Sequence, residues 1–265
     1  MGRNFVQDKL RKERIGEVNY NLHGQRMEII NYNNHRDITI LFEDGTIREH
    51  IYYSCFKQGA VKNFGAPEVH GVGITGTKQK KINGKLTKEY ATWVNMLQRC
   101  YDPHKWKEFP NYEKCSVCDE WLKYDNFYEW CHNQENWNKV IEEPSMFHVD
   151  KDIISKGNHI YSPVYCSFVP ANVNVMFVKR DCDRGNLPIG VSLTSTGKYR
   201  ARCSMKVLGE KEANCVANTI EEAFQFYKHN KERLIKEVAK REYEKGNIVK
   251  KCYEAMMKYE VEITD

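Results

Sequence analysis

The residue pattern predicts an α+β protein, and three observations carry that prediction. The first 67 residues show period-two apolar alternation broken by turn residues. A strand, a turn, a second strand and a helix follow one another between Phe147 and Arg180. Three short strands and one long amphipathic helix come near the end. The expected architecture is a small N-terminal β-domain, a central ββα unit with flanking helices, and a C-terminal three-stranded sheet packed on one long helix.

The chain has 265 residues, enough for about two domains or three small ones. No stretch approaches the roughly 18 apolar residues that a membrane span needs. Arg3, Lys9, Arg11, Lys12 and Arg14 have no apolar run behind them, so no secretory signal is expected. The net charge of +5 permits a nucleic-acid partner without demanding one, so clustering of the charge decides. The ten cysteines are expected to be reduced thiols.

In chain order, Met27 to Tyr32, Asp37 to Phe42 and Ile47 to Tyr53 read as strands. Asn33-Asn34 and Asp44-Gly45 supply the turns, and the result is a small, strongly bent sheet or barrel. Residues 68–88 hold Gly71, Gly73, Gly76 and Gly84 with Lys78, Lys80 and Lys81, the composition of a basic linker. Tyr90 to Tyr101 places Trp93, Met96, Leu97 and Cys100 at helical spacing, with Pro103 as the stop. Trp121 to Trp130 repeats that spacing with aromatic residues, which reads as core.

Phe147 to Ile154 alternates like a strand. Gly157-Asn158 turns it, Tyr161 to Val169 returns, and Pro170 opens a helix over Ala171 to Arg180. Ile189 to Leu193, Lys198 to Val207 and Ala213 to Ala217 are the last strands. Thr219-Ile220-Glu221-Glu222 is a capping box that starts the long helix. Val249, Tyr253, Met256 and Met257 then give the tail an amphipathic face suited to docking or self-association. The expected segments are a β-domain over 1–67, the linker over 68–88, a domain of helices and the ββα unit over 89–182, a domain of three strands and one long helix over 183–242, and a helical tail over 243–265.

The central segment resembles phage-encoded HNH homing-type endonucleases. The matching residues are Trp93-Val-Asn-Met-Leu-Gln-Arg-Cys-Tyr101, Val117-Cys118-Asp-Glu-Trp121, Phe127, Val149-Asp150-Lys-Asp152, Gly157-Asn158-His-Ile-Tyr161-Ser-Pro163, Cys166-Ser-Phe168-Val-Pro170 and Asn174. The C-terminal segment resembles the Apetala-type DNA-binding domain of plant ethylene-response factors. Its marks are Ile189-Gly190-Val191, Gly197-Lys198-Tyr199-Arg200-Ala201, Thr219 with Glu221-Glu222-Ala223, and Tyr227 with Lys231. Together the resemblances imply a phage-encoded protein acting in the cytoplasm of a bacterial host. Its implied activity is metal-dependent phosphodiester hydrolysis of double-stranded DNA.

The HNH resemblance implies one divalent cation, Mg or Mn, held by Asp150 on the strand and by Asn174 or Asn172 on the helix, since hard cations take oxygen ligands. Active members of that family usually carry His after the strand Asp, and this chain carries Lys151, a poor base while protonated. His148 and Asp152 lie two residues either side of Asp150, so on a strand the three share a face as a metal-and-base cluster. His148, Asp150 and Lys151 are the catalytic candidates; Asp150, Asp152 and Asn174 are the metal candidates. Cys115-Ser-Val-Cys118 has metal-ligand spacing but no second pair at similar spacing follows, so zinc is not expected.

Lys198, Arg200, Arg202 and Lys206 fall on alternate positions of one expected strand and line one face of it. Asp183 to Cys215 carries six Lys or Arg against three Asp or Glu, a net +3. These four cations are the DNA-binding candidates. A competing expectation keeps the scaffold and drops the cleavage, giving a regulator or an inhibitor of a bacterial defence complex that binds a host protein complex. The tail then adds homo-oligomerisation, and no membrane partner is expected.

Overall fold

The computed structural model describes residues 9, 11–178 and 186–265. Helices are interspersed with several small sheets, an α+β protein. The chain divides into two compact units: Met1–Gln79 with Leu122–Asp125, and Lys80–Trp121 with Asn126–Asp265.

The first unit is built on β1 (Val18–Tyr20), β2 (Arg26–Asn34), β3 (Asp37–Phe42) and β4 (Ile47–Ile51), an antiparallel meander in sequence order. β1 and β4 are edges, so of the two expected forms, bent sheet or barrel, the chain takes the open sheet. Met27, Ile29, Tyr32, Ile38, Ile40 and Phe42 pack into one core with Phe56 and Val61. A register shift between Ile29 and Asn31 lets Tyr32 face inward although it breaks the odd-numbered alternation. β2 runs through Asn34, so the turn falls at His35-Arg36 and not at Asn33-Asn34. The strand expected to reach Tyr53 stops at Ile51, because α1 (Tyr53–Lys57) begins there and supplies Phe56 to the core. The Asp44-Gly45 turn forms as expected, with Asp44 Oδ1 accepting from the Thr46 amide at 2.9 Å.

Residues 68–88 are not a structureless linker. They contain most of the hairpin β5 (Pro67–Val69) and β6 (Gly73–Ile74), and all of the hairpin β7 (Lys81–Ile82) and β8 (Lys85–Leu86). The turn of the second is Asn83-Gly84, both at positive φ, the chemistry of a tight hairpin.

In the second unit, α2 (Lys88–Tyr101) starts where the Thr87 hydroxyl accepts from the Tyr90 amide, and it buries Trp93, Met96, Leu97 and Cys100. Pro103 follows its end but opens a helix of its own, α3 (Pro103–Glu108), capped by Asp102. β9 (Ser116–Val117) follows. The aromatic stretch is a 3-10 turn over Asp119–Leu122 and then α4 (Tyr124–His132), so the helix begins three residues later than expected. Its residues are core as expected: Trp121 and Phe127 are buried edge to face, and Trp121 accepts the Trp93 indole N–H on its carbonyl at 2.7 Å.

After α5 (Trp137–Glu142) comes β10 (Phe147–Asp150), shorter than expected because the chain turns at Asp150. The return is split. β11 (Ile160–Tyr161) pairs parallel with β9, and only β12 (Ser167–Pro170) pairs antiparallel with β10, from Phe147 opposite Pro170 to Asp150 opposite Ser167. α6 (Ala171–Val175) completes the ββα unit. The helix expected to Arg180 ends at Val175, and residues 179 and 180 lie outside the described residues.

β13 (Val191–Leu193), β14 (Tyr199–Cys203) and β15 (Ala213–Ala217) form an antiparallel sheet in that order. α7 (Ile220–Glu244) starts with the expected reciprocal capping box between Thr219 and Glu222. Gly190 sets the approach of helix and sheet. Its φ is +77°, and a Cβ there would lie 2.1 Å from the Tyr227 ring. The tail forms α8 (Lys250–Met257). Its apolar face is not exposed for self-association: Val249, Cys252, Met256 and Val261 join one core with Ile153, Val169 and Val173 of the ββα region and Leu234, Ile235 and Val238 of α7. Lys156 pins the chain end through Asp265 at 2.7 Å.

Candidate functional site

The ββα hairpin puts His148 on an exposed position of β10, opposite Val169, and buries Asp150, opposite Ser167. Asp150 Oδ1 accepts the amides of Asp152 and Ile153, each at 2.8 Å, so its carboxylate caps the turn that ends the strand. Burial pushes the carboxyl above its ordinary value, more strongly than the two amides and Lys151 pull it down. Asp152 lies beyond the strand, so it does not continue the face with His148 and Asp150 that the sequence suggested.

Lys151 is buried. Its ammonium donates to Asp152 Oδ1 and to the Asn158 carbonyl, both at 2.8 Å, and stands 5.8 Å over the Tyr161 ring. Asn158 closes the loop by donating to the carbonyls of Lys151 at 3.0 Å and Ile160 at 2.8 Å. The residues that were candidates for chemistry therefore build the loop that joins β10 to β11. Asn174, on α6, is partly buried and Asn172 is exposed. Among the described residues, no hydrogen bond joins Asn174 to Asp150 or Asp152, and no three His, Cys, Asp or Glu gather so as to hold a metal ion. Asp150 already serves two amides and Asp152 already has an ammonium beside it.

His148 has an electrostatic setting that strand alternation did not reveal. Burial, Lys88 and Arg99 all push its imidazole below its ordinary value, so it is mainly uncharged at neutral pH. Lys88 is itself fixed, donating to the carbonyls of Pro144 at 2.6 Å and Phe147 at 2.7 Å. Lys88 and Arg99 stand near opposite ends of the Lys88–Tyr101 helix, so no local sequence signal marks this neighbourhood.

The second candidate surface is the outer face of the C-terminal sheet. Ala201 and Cys203 are buried, while Arg200 is half-buried and Arg202 exposed on alternate positions of β14. Arg200 lies between Ser192 and Val216 across the sheet, and Arg202 lies beside Asn214. The expected four-cation strand is shorter than proposed. Lys198 sits in a turn whose Thr194 hydroxyl binds both its amide and its carbonyl, and Lys206 opens a 3-10 turn over Lys206–Leu208. Both lysines are exposed at the ends of the strand. One acid tempers the face: Glu212 Oε1 is 3.8 Å from Arg202 Nε, with both side chains about half exposed, a pairing worth little in water.

Cys115 is buried with its thiol 3.6 Å from the Asn111 carbonyl, and Cys118 is half-buried. Burial pushes both thiols up, away from the thiolate that zinc binds. No helix among the described residues is long and apolar enough to cross a membrane. No family model, no curated protein and no solved structure matches this chain.

Proposed function

We propose that the chain binds double-stranded DNA with the exposed face of its C-terminal sheet, in a unit that also carries an HNH-like ββα element. The observation that carries the reading is the alternation along β14, which turns Arg200 and Arg202 outward above the buried Ala201 and Cys203. A twisted sheet of this size can enter the major groove, where arginine grips phosphate or guanine through two N–H groups. Lys198 and Lys206 extend the cationic surface to either end and add phosphate attraction. The resemblance to Apetala-type domains supports the same assignment.

The test is a mobility-shift titration with duplex DNA at several salt concentrations. Changing Arg200 and Arg202 to Ala together weakens binding at least tenfold and lowers the slope of log affinity against log salt by about two, since each phosphate contact contributes roughly one unit. Unchanged affinity and slope overturn the reading.

A second reading keeps the phosphodiesterase activity and places it at His148. The observation behind it is the exposed imidazole of His148 on β10, with Lys88 Nζ held at the carbonyl of the preceding residue, Phe147, at 2.7 Å; the imidazole would serve as proton acceptor for an attacking water. Supercoiled plasmid incubated with Mg or Mn separates the two readings. Nicking that His148→Ala abolishes, while mobility-shift affinity stays intact, supports cleavage. Intact plasmid with intact DNA binding supports binding alone.

A further inference from the structure

The first compact unit has a pocket of its own, remote from the residues discussed above in sequence and assigned no role by them. Its volume is about 290 Å³, and its lining includes Arg48, His50, Tyr52, Lys62 and Phe64. Every ionisable group of the lining other than Tyr52 and Cys55 is basic; no Asp or Glu is among them. One acid touches the lining: Asp37 Oδ1 stands 3.0 Å from His50 Nδ1.

The walls are organised. The Arg48 guanidinium lies 3.9 Å from the centroid of the Phe64 ring and donates to the Lys62 carbonyl at 2.6 Å. A guanidinium over one ring can offer its other side to a second flat group. The register of β3 against β4 shifts between Ile38 and Ile40, and His50 sits in that irregularity at φ +56°, a conformation rare for a residue with a side chain. Such shifts re-aim side chains at sheet edges, and here the shift belongs to the strand that contributes Arg48 and His50. Tyr52, 55% exposed, leaves most of an aromatic ring in water at the rim.

Aromatic faces combined with the cations Arg48 and Lys62, with no Asp or Glu in the lining itself, suit a ligand that is flat and anionic. The size sits at the lower end of small-molecule pockets, that of one nucleotide and far below a duplex. We infer that this pocket seats one nucleotide of a single-stranded nucleic acid, with the base on Tyr52 or the Arg48 guanidinium and the phosphate near Lys62. The inference is independent of the sheet-face reading, which concerns duplex DNA and the other unit.

The experiment uses the full chain carrying Arg200→Ala and Arg202→Ala, so that the sheet face does not contribute. Fluorescence anisotropy follows binding of a labelled short oligothymidylate. The expected results are that Tyr52→Ala weakens binding about tenfold, in line with the loss of one base–aromatic stack, and that Tyr52→Phe retains it. Lys62→Ala makes binding less dependent on salt, and an unlabelled duplex of equal length competes poorly. Affinity unchanged by both Tyr52→Ala and Lys62→Ala overturns the inference, and so does a duplex that competes as well as the single strand. The Tyr52→Phe variant separates loss of the ring from loss of the fold.

Discussion

At the scale of single residues, Asp150 and Lys151, two of the side chains that suggested chemistry, also hold the loop after β10. Asp150 is a turn cap, and its two amide partners decide how it responds to substitution. Asp150→Ala is expected to cost about 1–3 kcal/mol, because one buried and one partly buried amide lose their acceptor, whereas Asp150→Asn keeps an oxygen there and loses less. Denaturant unfolding of the two variants checks the order. Lys231 offers a pH test. Burial holds its ammonium below the ordinary value, only partly opposed by Cys203. Between that lowered value and the ordinary lysine value, the unfolded chain binds more protons than the folded one, so this group makes stability rise as pH increases through that window. Below the window the penalty is complete. Lys231→Met is therefore expected to melt higher than the parent at neutral pH, with the gap closing toward alkaline pH in a thermal-melt series. The residue types at both places were legible in the chain. Their roles were not, because a carboxylate that caps a turn and one that holds a cation have the same local sequence.

At the scale of elements, the capping box and the glycine before β13 carry specific predictions. Thr219→Ala removes the hydroxyl that accepts the Glu222 amide and is expected to cost about 1 kcal/mol in a denaturant titration. Gly190→Ala is expected to cost more than about 2 kcal/mol, since it meets both a positive φ and the Tyr227 ring at 2.1 Å. Most elements could be read from periodicity: the β2–β4 meander, the ββα unit, the three-stranded sheet and α7. The missed elements have a common cause. Short elements carry too few residues for a period to show, so β1, α1 and the hairpins within 68–88 were invisible or taken for a linker. The four-cation strand failed for a different reason: alternation continues in sequence from Lys198 to Lys206, but strand pairing runs only from Tyr199 to Cys203.

At the scale of the molecule, the second unit behaves as one body where the sequence suggested successive pieces. Residues of the ββα region, the sheet, α7 and the tail bury into one apolar cluster. Met256→Ala is expected to cost about 2–5 kcal/mol, the range for emptying a closed core site. Deleting residues 245–265 is expected to abolish cooperative unfolding of that unit, seen as loss of a single sharp calorimetric transition. A truncated chain that still melts sharply would show that the tail is dispensable. Local pattern alone settled the α+β class, the order of strands and helices, the cap of α7 and the alternation that sends Arg200 and Arg202 outward, because each depends on residues close together in the chain. Burial of Asp150, the wiring of Lys151 to Asn158, the neighbours of His148, the capture of the tail and the basic aromatic pocket of the first unit were decided only in three dimensions. Each of these depends on which distant groups share a volume from which water is excluded, and no short stretch of sequence encodes that.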